Sequence, residues 1–319
     1  MDLEEFKKSL LFEPTDNEIK RFLKQQYDMK KEFKGGRWEL EKYKDKTGNG
    51  DGIPELVGYN LSSVWKDITH NKSEFYEHSI KLPETGKKGT GNMSLRYSRT
   101  CLQEIERIIK TYMRKGDFFL ENCCGWSTFG TMAAYYGYSG IGIDIWDLAL
   151  KTSAKQLEEI KQVPNRGNLQ LCNMNGLDLQ FDNDTFNYLY CNPPFMDSEK
   201  YSGLEIDIAD KDIDSFTLKF ETLMKENYRV LKEDGLCTIT INDKRDKGYL
   251  IPLQMLVINS GFKAGFKLWD FAIAELVKGR NLILRKREYG LRRTAKQHEY
   301  VITFKKPIGL KNRKRGEKK

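Results

Sequence analysis

Alternation of short apolar runs with amphipathic stretches, sustained from Tyr97 to the C-terminal region, constrains this chain more than any other feature. Residues 102–113 put Ile105, Ile108 and Ile109 on one helical face, and a Lys115-Gly116-Asp117 turn follows. Strands are predicted at 118–120, 139–145, 169–172, 186–191 and 236–241, with helices at 128–136, 147–162, 215–230 and 249–259. The helix at 215–230 is expected to close at the Glu233-Asp234-Gly235 turn, and the one at 249–259 at Gly261. Two further strands, at about 266–273 and 299–305, can pair as an antiparallel hairpin. Helices inserted regularly between strands imply a parallel sheet covered on both faces. The expectation is therefore a Rossmann-like α/β fold with a seven-stranded sheet that ends in this hairpin. Trp65, Trp269 and Phe271 flank apolar positions and are expected in its core, and His298, just before a buried strand, is expected to be structural.

The first 92 residues read differently. Residues 1–45 show helical spacing over two short stretches, whereas 44–52 and 82–91 are rich in Gly, Asn and other turn formers. The intervening NLSSVWKDI, residues 60–68, is too short and mixed to assign. The expected organisation is a small N-terminal extension at 1–92, a catalytic domain at 93–307 with a basic insertion at 278–297, and a basic tail at 308–319.

In an open α/β sheet the ligand sits outside the carboxyl ends of the strands, where strand order reverses. Three features fall at such ends. Glu121-Asn122-Cys123-Cys124-Gly125-Trp126-Ser127-Thr128 follows the first of the alternating strands, and its small residues let a ligand approach the backbone. Asp144, followed by Ile145, ends the second, where a carboxylate can accept hydrogen bonds from two ribose hydroxyls. After the fourth comes Asn192-Pro193-Pro194-Phe195. Consecutive prolines hold the backbone extended and remove two N–H donors, so this turn presents acceptors. An exocyclic base amine is a poor nucleophile because its lone pair is delocalised into the ring. Accepting its hydrogens on Asn192 and a proline carbonyl favours the geometry in which that lone pair can attack, and Phe195 supplies a face for a flipped-out base.

These residues resemble those of class I amino-group DNA methyltransferases, in particular the phage-type DNA methylases. In that family the cofactor loop reads approximately D-P-F-x-G-x-G-T and the catalytic motif [DNS]-P-P-[YF], with N-P-P-F commonest among adenine N6 enzymes. Asn192 to Phe195 match fully. In the loop, Gly125 and Thr128 are retained, while Glu121, Asn122, Cys123 and Ser127 replace Asp, Pro, Phe and the second Gly. The resemblance runs over roughly residues 60 to 307. It implies S-adenosylmethionine as cofactor, held by Glu121, Asn122, Cys123, Gly125, Ser127, Asp144, Ile145 and Asn173, with Asn173 against the adenine ring. It implies base flipping and direct methyl transfer at Asn192, Pro193, Pro194 and Phe195, with adenine N6 favoured. Cytosine N4 is the nearest alternative, and a methyltransferase-like protein that binds DNA or a partner without turnover is the alternative of another class.

Charge distribution bears on the partner. Residues 278–319 hold 16 Lys plus Arg and three acidic residues, a net of +13, against −5 for residues 1–277. Such concentration is the footprint of a phosphate-binding surface, so DNA is expected on 278–297 and on the tail 311–319. A second copy of the chain or a partner subunit is also admitted. The six cysteines lack paired C-x-x-C spacing and lie mostly in apolar runs, so they are expected as reduced core residues with no metal. No window approaches the roughly 18 apolar residues of a membrane span, and a cytoplasmic location in a bacterial or phage-infected cell is expected.

Overall fold

The computed structural model describes residues 63–68, 101–160, 166–196, 206–276, 289–294 and 298–309. The expected N-terminal helices, most of the basic insertion and the tail from residue 310 lie outside them. In chain order the elements are β1 (Val64–Ile68), α1 (Leu102–Tyr112), β2 (Phe118–Asn122), α2 (Thr128–Tyr135), β3 (Ser139–Asp144), α3 (Asp147–Ile160), β4 (Leu169–Asn173) and β5 (Phe186–Cys191). There follow α4 (Ile213–Val230), β6 (Leu231–Ile241), β7 (Lys244–Asp246), β8 (Tyr249–Ile251), α5 (Leu253–Ala264), β9 (Lys267–Leu276) and β10 (His298–Lys305).

The main sheet runs β1-β9-β10-β6-β5-β2-β3-β4. Every neighbouring pair is parallel except those of β10, which is antiparallel to both β6 and β9. From β2 the order proceeds through β3 and β4 on one side, while β5 and β6 continue on the other. The switch in strand order therefore lies between β2 and β5, which pair from Phe119↔Tyr188 to Asn122↔Cys191. This is the Rossmann-like arrangement expected, with one strand more among the described residues than the seven expected.

Helix α4 shows how sequence makes these layers. Asp212 accepts a hydrogen bond from the Ser215 N–H at 2.8 Å and caps its start. Phe216, Phe220, Leu223, Met224 and Val230 recur at helical spacing and are buried in the core that also holds Leu189, Ile239 and Phe304. Each such large side chain contributes about 1.5–3 kcal/mol by leaving water.

Several expectations are corrected. The additional strand, β1, comes from the segment that the sequence left unassigned, and it pairs with β9 through Val64↔Ile273 and Trp65↔Ala274. Trp65 is buried as expected, but Trp269 is 57% exposed, with the Lys305 ammonium 4.3 Å from its ring centroid. Pairing with β1 begins only at Ile273, so among the described residues the first half of β9 has no strand on its outer side, and Trp269 stands at an open edge. The expected helix at 249–259 is displaced. Tyr249–Ile251 is a strand, because Pro252 lacks the N–H a helix interior needs, and the helix begins after it at Leu253. Nor does Gly261 end that helix, which continues to Ala264 and is closed by Gly265 at φ 107°. Gly261 is small for another reason: a Cβ there would collide with the Phe304 ring. Finally, Glu233-Asp234-Gly235 does not separate helix from strand but lies inside β6. There Asp234 is left-handed at φ 66°, and the register with β5 shifts between Phe186 and Tyr188.

Candidate active site

A cleft partly open to solvent lies at the carboxyl ends of β2, β3 and β5. Its first wall is the loop from β2 to α2. Cys123, Gly125 and Ser127 all have positive φ, at 57°, 49° and 45°, so the chain turns sharply and drives straight into α2. The Cys124 N–H donates to the Ile143 carbonyl at 2.9 Å, and the Ser127 N–H to the Cys124 carbonyl at 2.6 Å. A Cβ on Gly125 would meet nothing within 4 Å, so its backbone faces open space.

Glu121 sits beneath this loop, 3% exposed. One of its carboxylate oxygens accepts from Ser127 Oγ at 2.6 Å and from the Gly130 N–H at 2.9 Å, so it caps the first turn of α2. Burial dominates its chemistry and pushes its pKa up to about 8, against the lowering effect of those hydrogen bonds. Asp144 ends β3. Its Oδ2 accepts from the Gly125 N–H at 2.7 Å and its Oδ1 from the Trp146 N–H at 2.8 Å. Burial raises this carboxyl too, with the Gly125 and Trp146 hydrogen bonds opposing and Asp207 adding a smaller upward push.

The second wall follows β4. The Met174 N–H donates to the Asp144 carbonyl at 3.1 Å, and the Leu177 N–H to Asn175 Oδ1 at 3.0 Å. Asn122, fully buried at the end of β2, donates from Nδ2 to the Gly176 carbonyl at 3.2 Å and to Asn227 Oδ1 of α4 at 2.8 Å.

The third wall follows β5. Asn192 and Pro194 line the cleft, and the Met196 N–H donates to the Pro194 carbonyl at 3.1 Å. Ile206, Asp207 and Ile208 complete the wall. Asp207 is 6% exposed and accepts from the Ala209 N–H at 3.0 Å, while Lys219 of α4 donates to the Asp207 carbonyl at 2.8 Å and holds the segment against that helix.

Of the residues singled out from sequence, Glu121, Cys123, Gly125, Asp144, Ile145, Asn192 and Pro194 line this one cleft. The others do not. Asn122 and Ser127 are buried behind its wall, bonded to Gly176 and Glu121. Asn173 is exposed and donates to the Ile145 carbonyl at 3.2 Å. Pro193 is buried, and Phe195 packs half-buried against the main core. Sequence reasoning missed Met174 to Leu177 and Asp207. The Asn175-Gly176 pair was a legible turn signal, but nothing in the sequence marked Asp207.

Burial pushes Cys124 and Cys191 well above the ordinary thiol range, and both are free. Among the described residues no helix is long and apolar enough to cross a membrane.

No protein-family model matches the chain, and no curated protein matches it. Solved structures do. An S-adenosylmethionine-dependent methyltransferase from Methanosarcina mazei is similar over 63% of this chain and 98% of its own, at 16% identity and a TM-score of 0.46. The [4+2]-cyclase SpnF is similar over 65% and 81%, at 15% identity and a TM-score of 0.46. A putative methyltransferase from Bacillus halodurans is similar over 65% and 99%, at 12% identity and a TM-score of 0.45.

Proposed function

We propose that this chain is an S-adenosylmethionine-dependent methyltransferase acting on an exocyclic amine of a nucleic-acid base, with adenine N6 in DNA as its target. The observation that carries this reading is the convergence of Asn192, from the N-P-P-F turn, with Asp144 and Gly125 on one cleft at the strand switch point.

The residues present fit the cofactor. Asp144 is fixed by two main-chain donors and keeps lone pairs for ribose hydroxyls, and the open face of Gly125 admits a ligand against the backbone. Ile145 and Leu177 offer apolar walls for an adenine ring. S-adenosylmethionine supplies an electrophilic methyl group when bound.

The chain's own residues prepare the other reactant. Asn192 Oδ1 accepts one amine hydrogen. The Pro194 carbonyl, on the lining of the cleft, accepts the Met196 N–H and keeps a second lone pair for the other amine hydrogen. Phe195, half-buried and three residues after Asn192, is the residue proposed to stack on an extruded base. No protein nucleophile is called for, in keeping with the burial of Cys124 and Cys191. Outside the cleft, the basic stretches 278–297 and 311–319 are the proposed phosphate contacts; most of the first and all of the second lie outside the described residues.

Incubating the chain with S-adenosylmethionine and duplex DNA, then digesting to nucleosides for mass spectrometry, tests the reading. N6-methyladenine is the expected product. N4-methylcytosine alone overturns the base, methylation of RNA alone overturns the substrate, and no methylated nucleoside overturns the activity. One observation favours a second reading, a binding protein without turnover: Ser127 stands where the family keeps glycine and is turned away from the cleft toward Glu121.

A further inference from the structure

The β7–β8 hairpin is built as an outward-facing element. It forms a two-stranded sheet of its own, paired Lys244↔Ile251, Arg245↔Leu250 and Asp246↔Tyr249, and takes no part in the main sheet. Two strands of three residues are marginal in isolation, so an element like this is held by contacts elsewhere or by its use. Its turn, Lys247-Gly248, has φ of 45° and 94°, the paired left-handed conformation of a tight two-residue hairpin, and this sets Lys247 at the tip. Tyr249, next to the tip, is 80% exposed and Leu250 47%. Part of the basic insertion lies against it: Arg293 donates from its guanidinium to the Gly248 carbonyl at 3.2 Å, and Tyr289, four residues before Arg293, is 85% exposed.

The composition of this surface is one-sided. Lys244, Arg245, Lys247, Arg292 and Arg293 face two carboxylates, Asp243 and Asp246. Asp243 accepts a hydrogen bond from the Tyr300 hydroxyl at 3.1 Å and is thereby tied to β10. Cations interleaved with exposed aromatic rings are the chemistry that grips a phosphate backbone and stacks on bases. Its location is equally specific. β7 starts three residues after β6 ends, and β6 is the parallel neighbour of β5, with Cys191↔Ile239 in register. The hairpin therefore leaves the sheet at the same rim as Asn192.

We propose that the β7–β8 hairpin, with residues 289–294 braced against it, is the clamp that holds duplex DNA over the cleft. Lys247 and Arg245 contact phosphates, and Tyr249 packs against the helix where the target base leaves its stack. This inference rests on the proposed nucleic-acid substrate and assigns the part of the chain that grips it.

The test compares the wild-type chain with the double variant Arg245→Ala/Lys247→Ala and with Tyr249→Ala. Methyl transfer to duplex DNA and binding of a labelled duplex are followed across a salt series. Calorimetry with S-adenosylmethionine serves as the control for folding. The double variant is expected to bind the cofactor as the wild type does, raise KM for DNA, and lower the slope of log affinity against log salt by roughly 0.9 for each phosphate no longer neutralised. Tyr249→Ala is expected to raise KM with little change in the salt slope. Should the cofactor control fail for the double variant, Lys247→Gln alone at the exposed tip gives the same readout, with a slope change near that of a single phosphate. If wild type methylates DNA and all three variants match it in KM and slope, the clamp is wrong while the proposed activity stands. If wild type neither binds nor methylates duplex DNA, the activity falls and takes the clamp with it.

Discussion

Gly125 donates its main-chain N–H to the Asp144 carboxylate at 2.7 Å, so the loop after β2 and the end of β3 are one structural unit. A ligand held by either wall is therefore felt by both.

Replacing Asp144 with Ala is expected to weaken S-adenosylmethionine binding by about 1–3 kcal/mol, the usual cost of losing hydrogen bonds to a charged group. The Gly125 and Trp146 N–H groups lose their acceptor in the same variant, so loop order should fall with it. Calorimetric affinity equal to that of the wild type would remove Asp144 from the cofactor site.

For Asn192→Ala the expected loss is in turnover, with cofactor affinity kept, because the side chain acts on the amine and not on the methyl donor. Phe195→Ala should raise the apparent substrate constant by an amount that reflects base stacking, about 1–3 kcal/mol. Single-turnover kinetics beside calorimetry separates the two effects, and a parallel fall in cofactor binding would contradict both assignments.

Truncation after Pro307 should reduce the salt dependence of DNA binding by roughly 0.9 in slope for each phosphate that the tail neutralises. An unchanged slope and affinity would make the tail a solubilising extension.

The Glu121 carboxyl, ordinarily near 4.5, is raised to about 8 by burial. Between those values the folded chain holds a proton that the unfolded chain has released. The resulting stability is complete below about pH 4.5 and is lost as pH rises through about 8. Urea midpoints taken across that window should fall for the wild type, and the fall should shrink in Glu121→Gln. Identical slopes for the two proteins would place the titrating group elsewhere.

Gly261→Ala sets two effects against each other. In a helix interior alanine is favoured over glycine by about 1 kcal/mol. Here the added methyl would strike Phe304, and overpacking of this kind costs about 1–3 kcal/mol. A net loss of stability by urea denaturation is expected, and a gain would show that Phe304 has room to move.

The elements from α1 to α4 could be read from sequence because their signals are local: Ile105 with Ile108 and Ile109, or the apolar run at 186–191, state their own periodicity. The errors arose where a distant partner decides. Gly261 reads as a helix end until Phe304 is seen against it. NLSSVWKDI has no clear pattern until β9 supplies a ladder for it, and Trp269 looks like core until the register shows that, among the described residues, β1 meets β9 only from Ile273 on. The same division holds in the cleft. Motif positions such as Asp144 and Asn192 arrive at strand ends by topology, whereas Asp207 arrives on a segment that Lys219 draws against α4, a contact twelve residues away in sequence.

The amides of the loop beneath the cleft have an unusual set of acceptors. Cys124 donates to Ile143 on β3, Gly125 to Asp144, and Gly130 to Glu121 on β2. The Cys124 hydrogen, bonded to the β3 backbone, should exchange with solvent more slowly than the Gly125 and Gly130 hydrogens, which side-chain rotation of Asp144 or Glu121 can release. Loops at a binding site usually belong to the least protected part of a protein. Here the expectation is that the wall at Cys124 shares the opening free energy of β3, so that a ligand meets an ordered surface at that point.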